Sequence, residues 1–218
     1  MEIYFIIYLC IITAGFFLGL SFFKKSAHQV RPITIYLGMV LFLEISSHYM
    51  AVIYRNNMPG LHISIPLYFL VIGIFFYRNI ADERIRQTIP YTIGALLIFA
   101  IVNAVLFQPM NTFPGNVSRY TSFVYIVWAA LLFIQHLDHS SAENIFKNPV
   151  FVAATAILWF NIISLSFFLL YPFMIKYKLP GNDLQSIHYF SNYVYYILLL
   201  LAIVFAKNQI KNDRAILQ

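Results

Sequence analysis

The sequence predicts an all-α fold: a polytopic membrane protein, built as a seven-transmembrane-helix bundle with the N-terminus outside and the C-terminus cytoplasmic. Hydrophobic residues make up 61% of the 218 residues and charged residues only 10%, whereas a soluble domain has roughly 25% charged residues. The apolar runs approach the ~20 residues needed to cross a bilayer. Because lipid offers the backbone no hydrogen-bond partner and the runs do not alternate with polar residues, we expect helices rather than the strands of a barrel.

Seven apolar segments are bounded by charged residues, Pro, Gly or Asn. The first follows Glu2 and has neither a basic leader nor a small-residue cleavage site, so we expect a helix rather than a signal peptide. The third is the shortest, because Pro66 lies in its first turns and Arg78 follows it. Residues 1–206 are predicted to form one transmembrane domain and 207–218 a short cytoplasmic tail. The predicted spans are 3–23, 32–54, 63–77, 89–107, 120–137, 150–171 and 187–206.

The distribution of basic residues predicts the orientation. With seven spans and the N-terminus outside, ten of the 14 Lys and Arg residues fall in cytoplasmic segments. The other four, Arg55, Arg119, Lys176 and Lys178, fall outside. This bias obeys the positive-inside rule, so the net charge of +6 is explained by topology and indicates no nucleic-acid partner. The predicted partner of the whole chain is the lipid bilayer.

Polar side chains inside the spans point to a candidate site, since a charged group at the bilayer centre costs roughly 2.5–3.5 kcal/mol on insertion scales. Glu44 is the sole acidic residue within a predicted span and lies about halfway along the second segment. Ser47, His48 and Ala51 follow at the spacing that places them on its face of a helix. The spacing therefore predicts a polar stripe from mid-membrane to the outer end.

The remaining polar groups are predicted at compatible depths in the outer half of the membrane. They lie on the fourth, sixth and seventh segments: Asn103, Asn161, Ser164, His188, Asn192 and Tyr195. Together with Glu44, Ser47 and His48 they predict a ligand-binding polar cavity that opens outward. Its rim is predicted to be aromatic, from Tyr49, Tyr54, Tyr120, Tyr189 and Tyr193.

An ordinary structural role competes with this interpretation. Asn, Ser and His often join membrane helices by hydrogen bonds worth roughly 0.6–2 kcal/mol, and Tyr at helix ends anchors to the interface. Glu44 differs, because a carboxyl at that depth must be protonated, paired or hydrated, and His48 one turn away is a candidate partner.

Other chemistries have weaker signatures. His136, Asp138, His139 and Glu143 resemble a metal-ligand cluster, but such loops are usually only solvated, and we expect no metal and no cofactor. The seventh segment has no lysine for a retinal Schiff base, since Lys207 follows it. The phosphate-loop, nucleophile-elbow and zinc-protease motifs are missing from the sequence, so enzymatic activity is not expected.

A resemblance extends over nearly the whole chain. Residues 42–76, with Glu44, the loop Arg55-Asn56-Asn57 and the run 61–68, resemble a family of uncharacterised small bacterial seven-helix membrane proteins, as does the run 146–151. The chain departs from that pattern at Leu67 and Val152, where acidic and aromatic residues are common. The resemblance implies a bacterial inner membrane location and a likeness to the membrane sensor regions of some histidine kinases, where the last helix continues into a signalling helix.

These observations together predict a receptor-like sensor or transducer. A small molecule would bind in the outward-facing cavity, and the last helix would carry the change to a separate cytoplasmic or membrane signalling partner, because residues 207–218 are too few for an output domain. The alternative is a small proton- or cation-coupled transporter or channel that uses the same Glu44-centred cavity.

Overall fold

The computed structural model describes residues 2–26, 28–139, 142–178 and 182–216. These residues form seven α-helices and one 3-10 helix, so the all-α prediction is confirmed. The α-helices are α1 (Glu2–Ser21), α2 (Arg31–Tyr54), α3 (Met58–Asn79), α4 (Glu83–Leu106), α5 (Gly115–His139), α6 (Pro149–Lys176) and α7 (Asn182–Ile216), and the 3-10 helix is Ala142–Lys147.

Six helices, α2 to α7, are long and apolar enough to cross a membrane, while the described apolar part of α1, Phe5–Ser21, is shorter. Apolar helices of this number indicate a multi-pass protein of the lipid bilayer. The bundle is thus a membrane bundle. The described apolar part of α1 is shorter than the length needed to cross a membrane, whereas α2 to α7 are long enough.

The helices form a ring with one helix outside it. α1 lies between α2 and α7, α7 packs on α6, α6 on α5, and α5 on α3, which returns to α2. α4 contacts α3 and α5 and lies outside this ring. The centre is aromatic and aliphatic: Phe69, Phe75 and Phe76 of α3 are fully buried, as are Leu132 of α5 and Leu199 of α7.

Hydrogen bonds at the two ends of the bundle join alternate connections, as an up-and-down topology requires. At one end, Arg78 donates to the carbonyl of His28, and Gln135 bonds to the backbone of both Asn79 and Ala81. At the other end, His62 bonds to the carbonyl of Thr112 at 2.9 Å. We call the first end, with the α1–α2, α3–α4 and α5–α6 connections, the basic end, and the other the distal end.

Close packing of α1 on α2 depends on small residues that the sequence analysis did not single out. Gly15 and Gly19 of α1 form a Gly-x-x-x-Gly pattern, and Gly38 of α2 packs on the ring of Phe16. A Cβ on Gly15 would lie 2.9 Å from Leu37 Cδ1, and one on Gly19 would overlap the side chain of Thr34. Without a hydrophobic drive between helices in lipid, such close backbone approach supplies the packing energy.

Helices α3 to α7 each extend at least five residues beyond a predicted end. α3 begins at Met58 and contains Pro66, and α4 begins at Glu83 because Asp82 caps it, its carboxylate accepting from the backbone N–H of Arg84 and Ile85. α7 continues through Lys207 to Ile216, over much of the predicted tail. Its 35 residues span roughly 52 Å at the α-helical rise, longer than the ~30 Å hydrocarbon core.

Candidate functional site

Glu44 lies half-buried on α2 and faces α1. Its carboxyl interacts with the hydroxyl of Tyr8, which is 8% exposed. His48, one turn along α2, is exposed and stacks on the ring of Phe5 with 5.1 Å between centroids. The predicted stripe therefore lies against α1, and among the described residues no ion pair joins Glu44 to His48.

The hydroxyl of Tyr8 continues into a network that we call the tyrosine chain: Tyr8, Tyr36, Tyr195 and Tyr196. Tyr8 is hydrogen-bonded to Tyr196 of α7, and Tyr36 of α2 to both Tyr195 and Tyr196. All four side chains are buried. Ring centroids lie 5.2 Å apart for Tyr8 and Tyr196 and 4.8 Å apart for Tyr195 and Tyr196. The chain thus links Glu44 through α1 to α7.

Of the tyrosine chain, sequence analysis identified only Tyr195. Tyr8, Tyr36 and Tyr196 were missed because tyrosines in membrane proteins are usually interface anchors. A usable signal exists in the sequence, since Tyr8 and Tyr196 lie well inside apolar runs rather than at their ends. A buried Tyr hydroxyl usually requires a hydrogen-bond partner, so tyrosines at such positions indicate an internal network.

The seam between α6 and α7 is aromatic and has a defined register. His188 of α7 stacks on Phe167 of α6 at 4.7 Å, and Tyr195 stacks on Phe160 at 4.8 Å. His188 also lies 5.7 Å from the ring of Phe160, so His188 and Tyr195 share the face of α7 that meets α6. The residue number on α6 falls as the number on α7 rises, as expected for antiparallel helices.

Two buried serines lie between those aromatic contacts along the chain. Ser164 lies three residues before Phe167 on α6, and Ser191 lies three residues after His188 on α7. In the antiparallel register these positions fall at one level of the seam. Ser164 is 1% exposed and Ser191 is 0% exposed, and neither hydroxyl has a hydrogen-bond partner. We call this pair the serine layer; the Nδ1 atom of His188, one turn away, is also buried without a partner.

The two predicted asparagines near the serine layer have different environments. Asn161 is 5% exposed and donates to the carbonyl of Ile157 one turn back at 2.7 Å. Asn192 follows Ser191 on α7 and is half-buried. The amide N–H of Asn161 is therefore engaged within its own helix, while the serine hydroxyls remain available.

Asn103 belongs to a separate network at the distal end. Its Nδ2 donates to Gln108 and its Oδ1 accepts from Asn116, both at 3.0 Å. Arg119 donates to Asn116 at 3.2 Å and to the carbonyl of Phe168 at 3.0 Å. Asn103 is fully buried, and these bonds tie the α4–α5 connection to α6. These bonds indicate a structural role for Asn103, in holding the α4–α5 connection in place.

Ser47, like Asn103, belongs to a turn rather than to a cavity. Ser47 accepts a hydrogen bond from Asn57 at 3.1 Å, which closes the α2–α3 turn where Arg55 has a left-handed backbone with φ 51°.

The predicted rim tyrosines Tyr49, Tyr54, Tyr120 and Tyr189 are exposed. The side chains of Asp138, His139 and Glu143 lie outside the described ones, and the described residues hold no metal-binding group of three His, Cys, Asp or Glu.

The structure therefore sorts the predicted site residues into three places. Glu44 and His48 lie between α1 and α2; Asn161, His188, Asn192 and Tyr195 lie on α6 and α7; Ser47 and Asn103 lie in turn networks at the distal end. The first two places are connected, because the tyrosine chain from Glu44 ends on Tyr195, which packs against α6.

No family model, curated protein or solved structure matches this chain.

The chemistry available at the connected site is that of neutral hydrogen-bonding groups. Beside the Glu44 carboxyl it offers tyrosine and serine hydroxyls and one imidazole. Such groups can bind a neutral polar ligand or redistribute protons without a permanent charge, which would be costly to bury in the absence of a partner.

Proposed function

We propose that this protein is a receptor-like membrane sensor with seven spans, N-terminus outside and C-terminus cytoplasmic, in a bacterial inner membrane. A small ligand, or a proton, acts in the distal half of the bundle, and α7 transmits the change to a separate signalling partner. The observation that carries this proposal is the tyrosine chain, because it connects Glu44, the acidic residue in the middle of a span, to the helix that leaves the bundle.

The orientation rests on charge. The basic end carries Lys24, Lys25, Arg31, Arg78, Arg84 and Arg86, and the positive-inside rule assigns it to the cytoplasm. α7 then begins outside and ends inside, and α1, running parallel to it, counts as the seventh span in spite of its shorter apolar part.

Transmission requires that Glu44 and α7 respond together. The interaction with Tyr8 links the Glu44 carboxyl to α1, and Tyr8 in turn interacts with Tyr196 on α7. A ligand or proton that alters the Glu44 carboxyl changes its interaction with the Tyr8 hydroxyl, and through Tyr8 the bond to Tyr196. On its other face, α7 meets α6 at the serine layer, whose two hydroxyls have no hydrogen-bond partner. In this proposal, ligand binding shifts α7 between two packings of the bundle.

The proposal is tested by thermal unfolding of detergent-purified protein across a small-molecule panel and a pH series. We expect at least one ligand or pH change to stabilise the wild type, and Glu44→Gln and Tyr8→Phe to lose that response. Tyr125→Phe is the matched control, since the Tyr125 hydroxyl is buried and has no partner, so its loss should leave the response intact.

Two outcomes would count against the proposal. A response that survives in both Glu44→Gln and Tyr8→Phe would place the ligand elsewhere. A wild type that responds to nothing, with the variants unfolding at the same temperature, would make Glu44 a packing residue.

Proton-coupled transport is the second candidate, and one observation favours it. The tyrosine chain reaches Tyr36, in the second turn of α2 at the basic end, so hydroxyls extend from Glu44 toward the opposite face. Proton flux in liposomes driven by an imposed potential tests it. A flux that Tyr36→Phe abolishes would favour transport over sensing.

A further inference from the structure

An apolar groove lies between α3 and α4, away from the site described above. Its volume is about 260 Å³, and it is lined by Leu70, Ile74, Tyr77, Ile89, Pro90 and Ile93. The lining residues belong to two helices that are long and apolar enough to cross a membrane. They occupy the half of each helix nearer the basic end, since α3 ends at Asn79 and α4 begins at Glu83.

The groove follows from how α3 and α4 pack. They approach closely at Gly73, where an added Cβ would lie 2.6 Å from Ile93 Cδ1. Pro90, which is exposed, gives α4 no long side chain to fill the space between the two helices. α4 lies outside the ring of helices, so the groove faces the surroundings of the bundle rather than its core.

A cationic side chain lies at the basic end of the groove. Arg86 precedes Pro90 by four residues and Ile93 by seven, which places all three on one stripe of α4. Its guanidinium carbon lies 5.9 Å from the centre of the Tyr77 ring, one of the lining residues. Arg86 is also ion-paired with Glu83, but both groups are exposed, and such pairs are worth only ~0–1 kcal/mol.

We propose that this groove binds one acyl chain of an anionic phospholipid, whose headgroup phosphate is held by Arg86. The lining is apolar along its length, as an acyl chain requires, and the cation lies at the end where a headgroup emerges. Guanidinium matches phosphate geometry, and its remaining N–H groups stay free to donate while Glu83 accepts one. The next acidic group in sequence after Glu83, Asp82, is engaged in capping α4.

Arg84 provides a matched control within the same turn. It lies two residues before Arg86 and is therefore turned about 200° around the helix, away from the groove stripe. Both residues carry the same charge at the same end of α4, and both are outside the Glu44 site. If anionic lipid is bound only through the general basic charge of this end, Arg84 and Arg86 should contribute equally to lipid binding. If lipid is bound in the groove, Arg86 should contribute much more than Arg84.

The experiment measures the melting temperature and the lipid-bound fraction, by native mass spectrometry, with phosphatidylglycerol or with phosphatidylcholine of the same acyl chains. We expect phosphatidylglycerol to raise the melting temperature of the wild type and to remain bound, with phosphatidylcholine doing so less. Arg86→Gln should lose most of this difference, and Arg84→Gln should keep it. Ile74→Trp, which fills the groove, should lose binding of both lipids.

A second control separates filling the groove from adding a bulky side chain. Leu97→Trp places the same ring on an exposed position of α4 outside the groove and should leave lipid binding unchanged. Equal losses in Arg84→Gln and Arg86→Gln would overturn the proposal in favour of surface charge. Unchanged binding in Ile74→Trp would overturn the assignment of the acyl chain to the groove.

Discussion

Buried serine hydroxyls in this bundle differ in whether they have a partner. Ser118 of α5 is 5% exposed and donates to the carbonyl of Pro114 at 3.1 Å. Ser164 and Ser191 are buried more completely and donate to nothing. A hydroxyl buried without a partner costs roughly 1–3 kcal/mol, which is why these two are the groups that a ligand would find available.

The first prediction concerns those hydroxyls. Ser164→Ala and Ser191→Ala should leave the melting temperature unchanged or raise it, because each removes a desolvated group without a bond. Ser118→Ala, the control, should lower the unfolding free energy by about 1 kcal/mol, since it removes a hydrogen bond. Thermal unfolding of the three variants without ligand decides this. If the three lose stability alike, the serine layer holds a bound water or ligand.

The second prediction concerns Asn103. Replacing it with Ala removes the bonds to Gln108 and Asn116 and leaves their amide groups to compete for the remaining partners. We expect a loss of about 1–3 kcal/mol in unfolding free energy, measured by thermal or denaturant unfolding in detergent. Asn111→Ala, at an exposed position of the same connection, should have little effect. A ligand response should persist in Asn103→Ala, because Asn103 lies outside the tyrosine chain.

At the scale of the element, the contact of α1 with α2 is set by glycines. Gly19 faces Thr34, which is 4% exposed and has no room to move away. Gly94 of α4, by contrast, has open space where a Cβ would be. Both glycines lie in helices, but a side chain would clash at Gly19 and would fit at Gly94.

The third prediction compares these positions. Gly19→Ala should destabilise the bundle by about 1–3 kcal/mol through overpacking, whereas Gly94→Ala should be neutral or stabilising by up to about 1 kcal/mol through helix propensity. Thr34→Ala combined with Gly19→Ala should recover part of the loss, as expected for directly coupled sites. Melting temperatures of the single and double variants test this, and a loss at Gly94 equal to that at Gly19 would contradict it.

At the scale of the whole molecule, topology is the property to be tested. Cys10 is the single native cysteine, so a Cys10→Ser background permits single cysteines to be placed in the connections. A membrane-impermeant maleimide added to spheroplasts should label Asn111→Cys and Arg55→Cys at the distal end and should not label Lys24→Cys. Lys24→Cys should become reactive after the membrane is disrupted.

The number of spans needs a separate readout. An N-terminal tag should be accessible from outside and a C-terminal tag only after permeabilisation, because an odd number of spans places the termini on opposite sides. Both tags on one side would mean six spans, with α1 lying on the membrane or packing against it without crossing.

The sequence was sufficient to predict the class of fold, since long apolar runs in lipid have no stable alternative to helices. It also located the connections, because charged residues and Pro and Gly interrupt those runs. Helix ends were less well determined: capping by Asp82 extends α4, and Pro66 is tolerated within α3, and both depend on local geometry rather than on hydropathy.

Which polar groups meet depends on how the helices pack against one another. His188 and Tyr195 are seven residues apart, which places them on one face of α7, and both contact Phe160. Periodicity within a helix carries no information about the neighbouring helix, so it could not assign Asn103 to a turn network or join Glu44 to Tyr8. Those pairings follow from the order of helices around the ring and from the register of each seam, which close packing at residues such as Gly19 sets.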